Sequence, residues 1–148
     1  MRRPFMLWPL IFILLFLALG GGLYGGITML IDPTGNRLGV ADALPFLPVS
    51  NFILPGIFLI VVMGVFPLLL AYGLVARPNW PWVDSFFKWS NYDWPWTATI
   101  ALVVILYVWL AIEGLYMGFF PITYVTAVIG ILILLIALLP SIRKFYAR

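Results

Sequence analysis

The chain has 148 residues, of which 65% are hydrophobic and only 9% are charged, and its mean hydropathy is +1.15. So few polar side chains cannot cover the exterior of a water-soluble domain of this size. The composition therefore predicts an integral membrane protein. The sequence contains no cysteine and no histidine, which excludes disulfides, thiolate nucleophiles and histidine-ligated metals or haem. No cofactor and no metal site are predicted.

Four apolar stretches are long enough, or nearly so, to cross a hydrocarbon core about 30 Å thick as helices. We predict spans at about residues 6–31, 52–76, 96–118 and 122–139, which together form a single domain. Only a Phe119, Phe120, Pro121 turn separates the last two spans, and so short a connection makes them antiparallel neighbours. The predicted fold is an all-α bundle of four transmembrane helices.

The positive charges predict the orientation, because lysine and arginine near span ends stay on the cytoplasmic side. Arg37 alone lies in the loop between the first two spans, and a secretory signal is not favoured because the first apolar run continues past Gly20 to Ile31. We therefore expect a multi-pass protein of the cell's inner membrane with both termini in the cytoplasm, and no nucleic-acid binding. The seven cations on the predicted cytoplasmic side are Arg2, Arg3, Arg77, Lys88, Arg143, Lys144 and Arg148.

The predicted outer loop, residues 32–51, opens with a turn sequence. Asp32-Pro33-Thr34-Gly35 combines an Asx oxygen, a fixed proline φ and a permissive glycine. The remainder is apolar and contains Pro45 and Pro48, which keep it from forming one long helix. We expect a turn followed by an apolar cap over the helix ends, with a substrate gate as the alternative.

An unusually aromatic segment joins the second and third spans. Indole rings favour the headgroup boundary, and the spacing of the apolar residues predicts a short interfacial helix. Large rings also make strong contacts between proteins, so a docking site for a partner subunit or a pigment is the alternative. The candidate interfacial or docking residues are Trp80, Trp82, Trp89, Trp94 and Trp96.

Small residues allow membrane helices to approach closely, and the predicted spans contain three pairs of glycines spaced four apart. We predict that they bring the first and third helices together, with a dimer seam as the alternative. Pro67 is expected to kink the second helix, because proline removes a backbone hydrogen bond. The glycine pairs are Gly21 with Gly25, Gly22 with Gly26, and Gly114 with Gly118.

Glu113 is the only acidic or basic side chain within a predicted span. An ionised, unpaired carboxylate in a membrane costs about 2.5 kcal/mol or more on insertion scales, so Glu113 should face the bundle, be protonated or find a partner. Arg37 and Tyr116 are candidate partners, and either a structural polar contact or a proton-binding or ligand-binding site would result. Further possible hydrogen-bond donors are Tyr24, Thr28, Tyr107 and Thr123.

Taken together, these features resemble a family of small four-span bacterial membrane proteins of unassigned function. The resemblance covers most of the chain and implies the four-helix fold, but no activity or cofactor. The residues that carry it are Asp32-Pro33-Thr34-Gly35 with Leu38-Gly39, Pro55-Gly56, Trp109 with Glu113 and Gly118, and Leu139-Pro140-Ser141 followed by Arg143.

Two functions are compatible with these patterns. The first is a non-enzymatic structural or accessory subunit, which docks onto other membrane proteins or self-associates. The alternative is a small proton-coupled transporter, or a protein that binds lipid or a small molecule, using Glu113. We predict no enzyme, because the sequence offers no recognisable nucleophile or metal cluster for chemistry on lipid.

Overall fold

The computed structural model describes residues 2–37, 39, 41–46, 50–118 and 121–148. Within these ranges every regular element is a helix, so the predicted all-α class is confirmed. The predicted turn at Phe119 and Phe120, and the loop positions Leu38 and Pro48, lie outside the described residues. In chain order the helices are α1 (Leu7–Ile31), α2 (Ile53–Ala76), α3 (Pro81–Phe86), α4 (Trp94–Met117), α5 (Pro121–Ala137) and α6 (Pro140–Tyr146), and a 3₁₀ helix (Ala41–Phe46) precedes α2.

Three of the described helices, α1, α2 and α4, are each long and apolar enough to cross a membrane. A fourth crossing is counted if α5 and α6, which are bent by 67° relative to each other, form one span. α5 ends at Ala137, two residues before the predicted end of the fourth span. Pro140 then opens α6, because proline lacks a backbone N–H and is favoured at the first position of a helix.

Both α1 and α2 contain a wider, π-helical stretch near their middle, at Leu17–Leu23 and Leu59–Val65. These two stretches form the most extensive contact between the helices. The stretch in α2 ends two residues before Pro67, whose missing N–H and bulky ring disturb regular α-helical bonding. The helix is therefore irregular before Pro67, while the predicted kink itself stays a prediction.

Gly22 and Gly26 lie against α2. A methyl group at Gly22 would overlap the backbone of Met63, and one at Gly26 would come within 2.6 Å of the Gly56 carbonyl oxygen. The prediction that these glycines meet the third long helix is therefore wrong. The partner glycines in α2, Gly56 and Gly64, are eight residues apart rather than four, so the spacing rule did not reveal them.

Gly22→Ala should destabilise the fold, because the added methyl group meets rigid backbone and must push α1 away from α2. Overpacking of this kind costs about 1–3 kcal/mol. The measurement is the free energy of unfolding in mixed micelles, titrated with a denaturing detergent.

The matched control is Gly20→Ala, since nothing lies within 4 Å of a Cβ at Gly20. Both changes bring the same gain in helix propensity, about 1 kcal/mol, so their difference isolates the contact. Equal stability of the two variants would contradict the close packing of α1 on α2.

The turn after α1 forms as predicted. The Asp32 carboxylate accepts hydrogen bonds from the Thr34 hydroxyl, from the Thr34 N–H at 3.3 Å and from the Arg37 N–H at 3.2 Å. The Thr34 hydroxyl above all, with the backbone N–H groups and the Arg37 charge, holds the pKa of Asp32 below its usual value. These bonds are at full strength above about pH 4 and are lost as pH falls through the lowered pKa.

At the opposite end of the bundle, α6 returns to contact α2 and the segment before α4. The Tyr146 hydroxyl donates to the carbonyl of Leu74, and the Asp93 N–H donates to the Tyr146 carbonyl at 2.7 Å. Arg77, which ends α2 in a left-handed conformation, lies 2.8 Å from the Asp93 carboxylate and stacks 4.6 Å above the ring of Phe145. Residues far apart in sequence are thereby joined at one end.

Tyr146→Phe should remove the hydrogen bond to Leu74 without changing the shape of the buried ring. We expect a loss of about 1–3 kcal/mol in unfolding free energy, because the carbonyl acceptor is left in a buried site. Tyr72→Phe is the control, since Tyr72 is exposed. Chemical unfolding in micelles measures both, and no difference between the two variants would contradict this docking of α6.

Candidate intramembrane binding site

A cavity of about 390 Å³ lies between α1, α2, α4 and α5. Its volume falls in the range of small-molecule sites, about 300–1,000 Å³, and most of its walls are apolar. The residues that line it are Leu17, Gly20, Gly21, Gly22, Tyr24, Gly25, Met29, Phe52, Pro55, Leu59, Met63, Leu106, Trp109, Leu110, Glu113, Thr123 and Thr126.

Glu113 supplies the only acidic or basic side chain among the described residues that line this cavity. It lies on α4, about one turn before that helix ends at Met117, and it is half-buried. In the part of the chain that the structure describes, no hydrogen bond or ion pair joins its carboxyl group to another residue. The site thus combines a carboxyl group with open volume and apolar surroundings.

The two predicted partners of Glu113 lie elsewhere. Arg37 is exposed in the turn after α1, where its N–H binds the Asp32 carboxylate, and Tyr116 is 46% exposed in the last turn of α4. Neither lines the cavity. Sequence position placed both near the same membrane surface as Glu113, but it gave no information on the direction of their side chains.

Two of the other proposed hydrogen-bond donors, Tyr24 and Thr123, do line the cavity. Tyr107 instead donates its hydroxyl to the Ala127 carbonyl at 2.6 Å, and Thr28 donates to the Tyr24 carbonyl at 2.7 Å. Thr126, which was not predicted from the sequence, lines the cavity one turn after Thr123. The spacing of two threonines on one face of an apolar helix was the available signal.

The predicted glycine pairs have different environments. A Cβ at Gly21 would meet only Leu17, at 3.6 Å, and one at Gly25 would meet only Leu59, at 3.5 Å. Both glycines line the cavity, whereas Gly26 does not. Gly114 is half-buried, and Gly118 is exposed at φ +77°, where α4 ends. Gly22 and Gly26 therefore pack tightly on α2, and Gly22 also borders the cavity, whereas Gly21 and Gly25 border the cavity without a tight contact.

The five candidate tryptophans separate into two groups. Trp94 and Trp96 are held by hydrogen bonds from their indole N–H groups to the carbonyls of Pro78, at 3.3 Å, and Ala137, at 2.8 Å. Trp80 stacks on Trp94 with ring centres 5.3 Å apart. The rings of Trp82 and Trp89 are 66% and 76% exposed, although the indole N–H of Trp89 also donates to a carbonyl, that of Phe86, at 3.1 Å.

Trp109 is one of the residues that carry the family resemblance, and the structure shows that it also lines the cavity. Its ring stacks on Phe58 of α2, with centroids 4.4 Å apart. This contact fixes α4 against α2 beside the cavity. Trp109 precedes Glu113, the only acid in a predicted span, by four positions and so lies on the same helix face. That spacing was the signal that could have identified Trp109 as a cavity residue.

These features define a class: an all-helical protein with helices suited to a membrane and a partly open cavity between them, which one carboxyl group lines. Comparisons with protein families, with curated proteins and with solved structures found no match to this chain. Among the described residues no cluster of three or more potential ligand side chains could hold a metal ion. The resemblance to a four-span bacterial family stays a prediction.

Proposed function

We propose that this chain is a four-span membrane protein that binds a small molecule, or a proton, at Glu113 in the cavity between its helices. The observation that supports this is a half-buried carboxyl group which faces an apolar cavity and has no partner among the described residues. A charged carboxylate is costly in such a place unless something neutralises it. A proton or a ligand that enters the cavity would neutralise the carboxylate. This function needs no catalytic residue.

The topology belongs to the same proposal. In the proposed topology, α5 makes the fourth crossing of the inner membrane, and both termini lie on its cytoplasmic side. α5 has 17 residues, a length of about 25 Å at 1.5 Å per residue, and it packs against α1 and α4. The Arg3 guanidinium donates to the Val75 carbonyl at 3.0 Å and that of Arg148 donates to the Phe87 carbonyl at 3.1 Å. Cations near both termini therefore contact the same end of the bundle, as the positive-inside rule favours.

Glu113→Gln should abolish ligand retention and leave the fold intact, because the carboxyl group makes no hydrogen bond or ion pair with any residue that the structure describes. We would extract the protein from native membranes in polymer-bounded lipid discs and identify small molecules by mass spectrometry. A compound found with the wild-type protein should fall at least tenfold in Glu113→Gln. Asp42→Asn, which removes an exposed carboxyl group of the 3₁₀ helix, should retain it.

The structural alternative gives a different result. If Glu113 only stabilises the bundle, Glu113→Gln lowers the thermal midpoint and the wild-type protein carries no enriched compound. That pair of observations would contradict the proposed function. If the site binds only a proton, the purified wild-type protein should take up one more proton per chain than Glu113→Gln.

A second candidate function, an accessory subunit that docks onto a larger membrane protein, is favoured by one observation. Trp82, Phe86 and Trp89 are all more than 60% exposed on and just after the short helix α3. Exposed aromatic side chains are common contact residues in protein interfaces. Lipid headgroups are the other surroundings in which such rings are stable.

A double variant, Trp82→Leu with Trp89→Leu, tests the docking function. It should release a co-purifying membrane protein while leaving insertion and stability unchanged, since neither ring is buried. Trp8→Leu is the control, because Trp8 is also exposed but lies on α1, away from α3. Identical co-purifying proteins in all three samples would contradict docking through these rings.

A further inference from the structure

We propose that the ligand of this site is an amphiphilic monocation, with an ammonium group beside Glu113 and an apolar body that lies on the bare backbone of Gly21 and Gly25. This inference rests on the proposed function, and it names the chemical class that the cavity would select.

The charge of the ligand follows from the residues around Glu113. The described lining contains this carboxyl group and no lysine, arginine or aspartate. A carboxylate ligand would meet like charge, and a neutral alcohol could bind only beside the protonated carboxyl group, where it gains no pairing of opposite charges. An ammonium group supplies the missing opposite charge, and it can donate a charge-assisted hydrogen bond.

The apolar body follows from the depth of the cavity. Leu17, Met63 and Leu106 line it near the middle of α1, α2 and α4, whereas Glu113 lies near one end of α4. Seven residues separate Leu106 from Glu113, which is about 10 Å along a helix. The site therefore extends from a carboxyl group near one membrane surface to apolar walls near the bilayer centre. An amphiphile inserted with its polar head toward the surface has the same arrangement.

The room for the body comes from two glycines. Gly21 and Gly25 are one turn apart and so lie on one face of α1. A Cβ at either position meets a single side-chain atom at ordinary contact distance. Both positions border the cavity, and a Cβ there overlaps no backbone of α2, in contrast to one at Gly22. We infer that these glycines determine the size of the ligand.

The chain allows a direct measurement, because Glu113 is its only glutamate. Protein labelled with ¹³C at the glutamate carboxyl carbon gives one side-chain resonance, which reports on the site itself. In phosphatidylcholine nanodiscs we would titrate octylamine, octanol and octanoate, which share one chain length. Octylamine should shift the resonance with an apparent affinity at least tenfold above that of octanol, and octanoate should leave it unchanged.

Variants locate the body of the ligand. Gly25→Leu should weaken octylamine binding at least tenfold by filling the cavity, and Gly25→Ala should weaken it less. Ala111→Leu adds bulk to an exposed position of α4 and should bind like wild type. Circular dichroism and the thermal midpoint verify that each variant is folded.

The outcomes separate the two proposals. If octanol binds as tightly as octylamine and Gly25→Leu abolishes both, the cavity is a binding site but the ligand is not a cation. If Gly25→Leu is folded and binds octylamine like wild type, the body does not lie on the glycine face. If none of the three compounds shifts the resonance, the amphiphile proposal is wrong, and the search for a retained native compound decides the proposed function separately.

Discussion

A carboxyl group is costly in apolar surroundings, and the proposed function of this protein follows from that cost. Glu113 lies about one turn from the end of a helix suited to a membrane, beside a cavity with mostly apolar walls. Charge there is stable only with compensation, from a proton, a protein cation or a ligand. Because Arg37 is exposed in its own turn, no protein cation among the described residues contributes to the cavity. A proton or a ligand is therefore the source of compensation that we propose for Glu113.

The cavity itself is a consequence of how α1 packs on α2. The two helices approach so closely at Gly22 and Gly26 that backbone meets backbone, and their π-helical stretches lie at this contact. Gly20, Gly21 and Gly25 of α1 line the cavity and add no side chain to it, and a Cβ at Gly25 would meet Leu59 of α2 only at 3.5 Å, an ordinary contact distance. One run of glycines thus produces both a tight interface and a void. π-helical segments are frequent at functional sites, which agrees with their position in the cavity wall.

Much of this arrangement was accessible from the sequence. The long helices α1, α2 and α4 begin and end within two residues of the predicted spans, since apolar length is a strong signal, and the Asp32 turn follows from local chemistry. The glycine motif identified a close contact but not its partner, because spacing carries no information about the facing helix. Burial of Trp94 and Trp96 depends on segments distant in sequence, which no local pattern encodes. The cavity was also beyond prediction, since it arises from what four helices leave unfilled.

The state of Glu113 in the membrane can be tested by selective chemistry at carboxyl groups. A membrane-permeant, apolar carbodiimide reacts with protonated carboxyl groups in apolar sites, whereas a water-soluble carbodiimide reaches exposed ones. In intact vesicles, mass spectrometry after treatment with each reagent would locate the modified residue. We expect the apolar reagent to modify Glu113 and the water-soluble reagent to modify exposed carboxyl groups, such as that of Asp42, but not Glu113. Equal modification of Glu113 by the water-soluble reagent would place it in water and contradict the central claim.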